Sequence, residues 1–162
     1  MLKIKIMNIN KATIELIKSF EGLELKAYPD PATKNDPIKK GHPWTIGWGT
    51  TIYPDGQKVK QGDSITQIQA EAFLLNDLSK FALGVGKLII RTLTDNQFGA
   101  ILSFAYNVGL GNLKASTLLK KVNINPKDLS IASEFAKWNK AAGKVMNGLT
   151  RRRTTESQLY FK

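Results

Sequence analysis

The spacing of apolar positions divides the chain into three stretches. Between residues 11 and 20, Ile14, Ile17 and Phe20 recur three apart, which predicts a helix with Asn10 as its N-cap and Gly22 as its stop. From Leu25 to Asp63 that spacing is lost. Pro29, Pro31, Pro37, Pro43 and Pro54, with several glycines, exclude a long helix there. Residues 45–52 read as a short strand, and residues 53–57 as a turn leading to a second one. From Thr66 the pattern is helical again. Thr66 and Gln69 are spaced for a capping box ahead of Phe73, Leu74, Leu78 and Phe81, and Thr94 and Gln97 for another ahead of Phe98, Ile101, Leu102 and Ala105. The helix after Thr94 is expected to be the buried centre, with further helices over residues 116–122, 126–139 and 148–160. The pattern is α+β: one helix, a β-rich insert over about 25–63, and helical segments over about 10–22 and 66–161, in one domain with a cleft between two lobes.

Composition narrows the chemistry. A length of 162 residues and 42% hydrophobic content suit a folded domain with a sizeable core. The absence of cysteine excludes disulfides and thiolate metal sites. The single histidine, His42, lies in a polar loop and leaves little for a zinc site or a Ser-His-Asp triad. The first eight residues alternate charged and apolar side chains, which is neither a signal peptide nor a membrane span. The expectation is synthesis in the cytoplasm without stable membrane insertion. A net charge of +11 implies a polyanionic partner without choosing among nucleic acid, membrane surface and cell wall. The run Arg151-Arg152-Arg153 reads as a solvated helix face.

With six glutamates and seven aspartates, the search for acid–base residues is short. Glu21 follows an apolar stretch at the junction of helix and insert. Desolvation beside apolar side chains disfavours the charged form of a carboxyl, the property a general acid near neutral pH needs. On spacing alone, a solvent-facing glutamate in a last helical turn explains it as well. Asp30 between two prolines is a turn residue or the second carboxylate of a glycosidase pair. Thr45, at the head of the strand, could hold a water. Gly47 and Gly49 mark a bulge or a close ligand approach. Trp44 and Trp48 offer flat faces for sugar rings but serve more often as packing residues, and Trp138 reads as core. Asp63 reads as a turn residue, Asp77 as a helix residue without a partner, and residues 84–87 as the end of a helix rather than a phosphate loop.

Together these segments resemble the phage-type lysozymes, glycoside hydrolase family 24. The resemblance rests on Phe20-Glu21-Gly22-Leu23-Glu24-Leu25-Lys26-Ala27-Tyr28-Pro29-Asp30 and on Trp44-Thr45-Ile46-Gly47-Trp48-Gly49-Thr50-Thr51. Ser103 to Gly109, Ser116 to Leu119 and Gly148 to Glu156 fit the same family, so it covers about residues 11–160. It implies a lysozyme-like fold and cleavage of the β-1,4 bond between N-acetylmuramic acid and N-acetylglucosamine in peptidoglycan, without metal or cofactor. By resemblance Glu21 is the general acid, with Asp30 and Thr45 handling water. Trp48, Thr51, Tyr106, Asn107 and Ser116 are candidate sugar contacts, and the three arginines are structural or wall contacts. The resemblance further implies a monomer that binds the anionic wall, not nucleic acid, and depends on a separate holin for release. Two departures stand out: Thr50 where many relatives carry histidine, and a long stretch from Pro31 to Pro43, expected as a loop at the cleft mouth. A basic nucleic-acid-binding module leaves Glu21, Asp30 and Thr45 as accident. A lytic transglycosylase, or a wall-binding protein that has lost catalysis, are the other rivals.

Overall fold

The computed structural model describes residues 8–162; the alternating pattern of residues 1–7 lies outside them. Helix α1 (Lys11–Glu21) starts where the Asn10 side chain accepts from the Thr13 amide at 3.0 Å. It stops at Gly22, whose φ of +69° suits a residue without Cβ. Two antiparallel strands follow, β1 (Glu24–Pro29) and β2 (Trp44–Gly47). Next come α2 (Gln67–Leu88), α3 (Asp95–Val108), α4 (Leu110–Ala115), α5 (Thr117–Ile124) and α6 (Ile131–Ala136). A small hairpin of β3 (Lys140–Ala141) and β4 (Lys144–Val145) leads into α7 (Asn147–Tyr160).

The chain gathers into two units, one holding Glu21–Ser79 and the other the chain up to Phe20 together with Lys80–Lys162. The boundary therefore runs inside α2 rather than ahead of it. The first half of that helix joins the sheet because its side chains pack there. A Cβ on Gly47 would stand 3.5 Å from that of Ala70, and the Tyr53 and Phe73 rings lie 5.3 Å apart. Ile46, Trp48, Val59, Ala70, Leu74 and Leu78 are buried in this unit.

In the helical unit α3 is buried from Phe98 to Ala105 and carries the expected capping box between Thr94 and Gln97. Around it pack Leu16, Val85, Leu113, Leu118, Val122, Ile131, Phe135 and Tyr160. Trp138 meets Phe104 edge-on at 5.3 Å, at the margin of this core.

Three local expectations are corrected. The strand over residues 45–52 ends at Gly47, because Gly47 and Gly49 (φ +65° and +107°) reverse the chain and let Ile46 and Thr50 exchange both backbone hydrogen bonds at 2.9 Å. The turn after it is present, but the second strand shrinks to one bridge, Ile52 to Lys58. The helix over residues 126–139 is only α6, since the Asn125 and Asp128 side chains bind the amides of Lys127 and Ser130 and hold a turn. Residues 84–87 form the last turn of α2, the helix end expected there. Strand β1, helix α4 and the β3–β4 hairpin were not foreseen. That hairpin turns through Ala142 and Gly143, both at positive φ (+48° and +76°), the geometry of a tight two-residue turn.

Candidate functional site

Glu21, Asp30 and Thr45 all belong to the β-rich unit, and the strand pairing explains how they are arranged. Glu21 is the last residue of α1, three positions before β1 begins at residue 24. Tyr28 pairs with Thr45 and Pro29 with Trp44, so Asp30 leaves the sheet one residue beyond the last pair. Residues paired directly across strands share a face, as do positions two apart on one strand. Thr45 and Tyr28 therefore stand side by side, with Asp30 just past the end of β1. All four residues are half-buried. Four steps along β1 from Glu24 to Tyr28 match only two along β2 from Gly47 to Thr45, a bulge that re-aims the end of the strand.

Asp30 is held from both sides. Its amide donates to the Gly41 carbonyl at 3.0 Å, and its Oδ1 accepts from the Ala32 amide at 2.8 Å, which leaves Oδ2 for a water. The loop from Pro31 to Pro43 is built of turns rather than left slack. The buried Thr33 hydroxyl donates to the His42 carbonyl at 2.7 Å, and the Asp36 carboxylate accepts from the amides of Ile38 and Lys39. A Cβ on Gly41 would lie 2.6 Å from that of Pro29, so only glycine lets the returning loop lie against the strand end beside Asp30.

The Tyr28 phenol reports the electrostatics of this corner. Its pKa lies above the ordinary value. Burial is the main cause, followed by the charges of Glu21 and Glu24 and, less, of Asp30; a hydrogen bond with Thr45 acts the other way. One hydroxyl thus senses all three candidate residues. Sequence reasoning passed over Tyr28, although its position two residues before Asp30 was a usable signal once a strand was recognised there.

Asp77 is not partnerless: the Thr50 hydroxyl donates to its Oδ2 at 2.6 Å. Thr50, the departure from the histidine of many relatives, thereby keeps a hydrogen bond between the turn after β2 and α2. Asp63 is the turn residue expected, accepting from the Lys60 amide and the Tyr53 hydroxyl. Burial and the Asp63 carboxylate push that hydroxyl's pKa up to about 12. An open groove of about 510 Å³ beside Tyr53, Lys58, Gln69 and Phe73 includes none of Glu21, Asp30 and Thr45.

The candidate sugar contacts separate by burial. Trp48 is buried, which suits packing better than stacking on a sugar, whereas Thr51 is half-buried. In the helical unit Tyr106 is half-buried with its ring 5.2 Å from that of Phe81. Asn107 is exposed, and its Oδ1 accepts from Arg153 at 2.9 Å, which turns the amide NH2 outward as a donor. Ser116 is corrected. It is buried, its hydroxyl donates to the Leu113 carbonyl and accepts from the Leu119 amide, and so it caps α5 instead of facing a ligand.

The arginine run is corrected as well. Arg151 is exposed, but Arg152 and Arg153 are only 3% and 1% exposed, because α7 turns them inward onto Glu156. Glu156 also accepts from the Ser103 hydroxyl of α3 at 2.7 Å. Burial pushes its carboxyl up, against the pull of Arg153, Arg152 and Ser103. Among the described residues no group of three or more histidine, aspartate or glutamate side chains could hold a metal ion.

Comparison with known proteins identifies the family and the fold. The family model described as phage lysozyme matches residues 18–156. The chain is similar to the endolysin of Bacillus phage B103, with 47% identity over 96% of this chain and 54% of that protein. It spans about half the length of that relative. Among solved structures it is similar to the endolysin from Escherichia coli O157:H7 phage FAHEc1, with 38% identity, a TM-score of 0.82, and coverage of 97% of this chain and 95% of that one. It is also similar to the muramidase domain of SpmX from Asticaccaulis excentricus, with 32% identity, a TM-score of 0.80, and coverage of 96% and 98%.

Proposed function

Because the chain belongs to the phage lysozyme family, we propose that it is a peptidoglycan hydrolase that cleaves the β-1,4 bond between N-acetylmuramic acid and N-acetylglucosamine. The observation that supports the residue assignment is the strand register, which pairs Thr45 with Tyr28 and ends one residue before Asp30, with Glu21 close enough for its charge to reach the same phenol. Glu21 protonates the leaving oxygen as the glycosidic bond breaks. Asp30, through the oxygen its turn leaves open, and the Thr45 hydroxyl hold a water against the opposite face of the sugar cation, and Asp30 takes the proton that the water loses. Thr51, Tyr106 and the outward amide of Asn107 are the sugar contacts this reading retains.

The test is digestion of purified peptidoglycan followed by mass spectrometry of the products. Reducing N-acetylmuramic ends are expected. Anhydro-muramic ends would instead make the protein a lytic transglycosylase, and intact strands would remove the enzymatic reading.

Charge supports an anionic wall as partner. The segments up to Phe20 and from Lys80 hold 18 of the 24 basic and five of the 13 acidic residues, leaving +13 there and −2 on Glu21–Ser79. Exposed cations such as Lys140, Lys144 and Arg151 are attracted to wall phosphates and carboxylates over roughly a Debye length, about 8 Å at physiological salt. Replacing these three by glutamine is expected to leave the thermal midpoint unchanged and to lower the salt at which the protein elutes from isolated walls. Elution at the same salt would show that they play no part in wall binding.

The finer reading is a monomer, made in the host cytoplasm and released to the wall by a separate holin. Among the described residues no helix is long and apolar enough to cross a membrane. Cells making the protein without a holin should stay intact while their extract clears isolated walls; lysis without any holin would overturn that dependence.

A further inference from the structure

We propose that Tyr28 is a positioning residue for this reaction, its phenol holding the Thr45 hydroxyl in the orientation from which Thr45 and Asp30 grip the attacking water. The inference rests on the function proposed above and adds a residue to it. Tyr28 and Thr45 are direct partners in the β1–β2 register and so lie on one face, with Asp30 two residues on, just past the end of β1. The bulge between Glu24 and Tyr28 shifts this end of the strand and sets which residue faces Thr45. The register sets the two side chains next to each other, close enough for the Thr45 hydroxyl to draw the phenol's pKa down, and both residues are half-buried, so neither side chain swings freely in solvent.

The chemistry of the pair suits the task. A threonine hydroxyl offers one proton and two lone pairs, and it rotates unless something fixes it. A Thr45 hydroxyl that donates to the phenol oxygen has its proton committed and its rotation fixed, and such a bond draws the Tyr28 pKa down against burial and the nearby carboxylates. Both Thr45 lone pairs then remain for the water, which donates one hydrogen to Thr45 and the other to Asp30 and keeps its own lone pair for the sugar carbon. Tyr28 thus acts through Thr45 and need not touch the sugar.

The experiment compares wild type, Tyr28→Phe, Thr45→Ala and the double variant on soluble peptidoglycan strands, with thermal midpoints measured alongside. Tyr28→Phe is expected to lower kcat about tenfold, the effect usual for a side chain that orients a catalytic group, with KM and the midpoint unchanged. In the Thr45→Ala background the same change should have no further effect, because the group it orients is gone. Full activity of Tyr28→Phe overturns the inference, as does a loss that multiplies with that of Thr45→Ala or that follows a lowered midpoint. A wild type that fails to cleave overturns the proposed function as well, whereas a cleaving wild type with a fully active Tyr28→Phe overturns this inference alone.

Discussion

Replacing Glu21 with glutamine is expected to slow peptidoglycan cleavage by about a hundredfold to ten-thousandfold, the range a positioned proton donor contributes. The amide has nearly the shape of the acid and no proton to give, so the leaving oxygen must depart as an alkoxide. Position supports the assignment: Glu21 is the last residue of α1, one step before Gly22 releases the chain into the strand that carries Tyr28 and ends just before Asp30. Isosteric replacement at a half-buried helix end should change stability by no more than about 0.5 kcal/mol. The decisive comparison is the clearing rate of wild type and Glu21→Gln beside their thermal midpoints and their retention on isolated walls. Loss of clearing with both other properties kept places Glu21 in the chemistry. Wild-type clearing by the variant removes it from the mechanism and returns it to an ordinary helix-end glutamate.

The contrast between Glu21 and Tyr28 shows what the sequence disclosed and what it withheld. Local signals were legible. The Asn10 cap, the Gly22 stop and both capping boxes depend on residues within one helical turn of each other, and the structure contains all of them. Features set by distant pairing were not. The β1 sequence, Glu-Leu-Lys-Ala-Tyr-Pro, alternates polar and apolar over only four residues before a proline, a short signal, and it is a strand because β2 lies beside it across an intervening loop. The β3–β4 hairpin turns through an alanine at positive φ, where a turn signal would have called for asparagine or glycine. Asp77 looked idle because its partner, Thr50, is 27 residues away on the other side of a turn. The trio of Glu21, Asp30 and Thr45 stood out through family resemblance, since each residue alone has an ordinary structural explanation. Tyr28 needed the register.

The arginine run shows how far three identical neighbours can diverge. Arg153→Met is expected to destabilise the fold by about 3–5 kcal/mol, because it leaves Glu156 buried with too little positive charge around it. For a chain of this size that is a fall in thermal midpoint on the order of 10 °C. Arg153 holds several groups at once: its NH2 reaches both Asn107 and Glu156, and its guanidinium lies 4.9 Å above the Phe104 ring. Lysine cannot supply that planar fork, so Arg153→Lys should recover little of the loss. Arg151→Met, on the exposed side of the same helix turn, should stay within about 0.5 kcal/mol of wild type. Replacing Arg152, Arg153 and Glu156 together by apolar residues of matching volume should cost less than Arg153→Met alone, because no charge is then stranded. A midpoint for Arg153→Met close to that of Arg151→Met would mean that the buried pair does not join α7 to α3. Asn107 provides a separate reading of the same network. Without Arg153 its amide loses the partner that turns the NH2 outward, so a rise in KM beyond what partial unfolding explains would tie this buried charge to sugar binding.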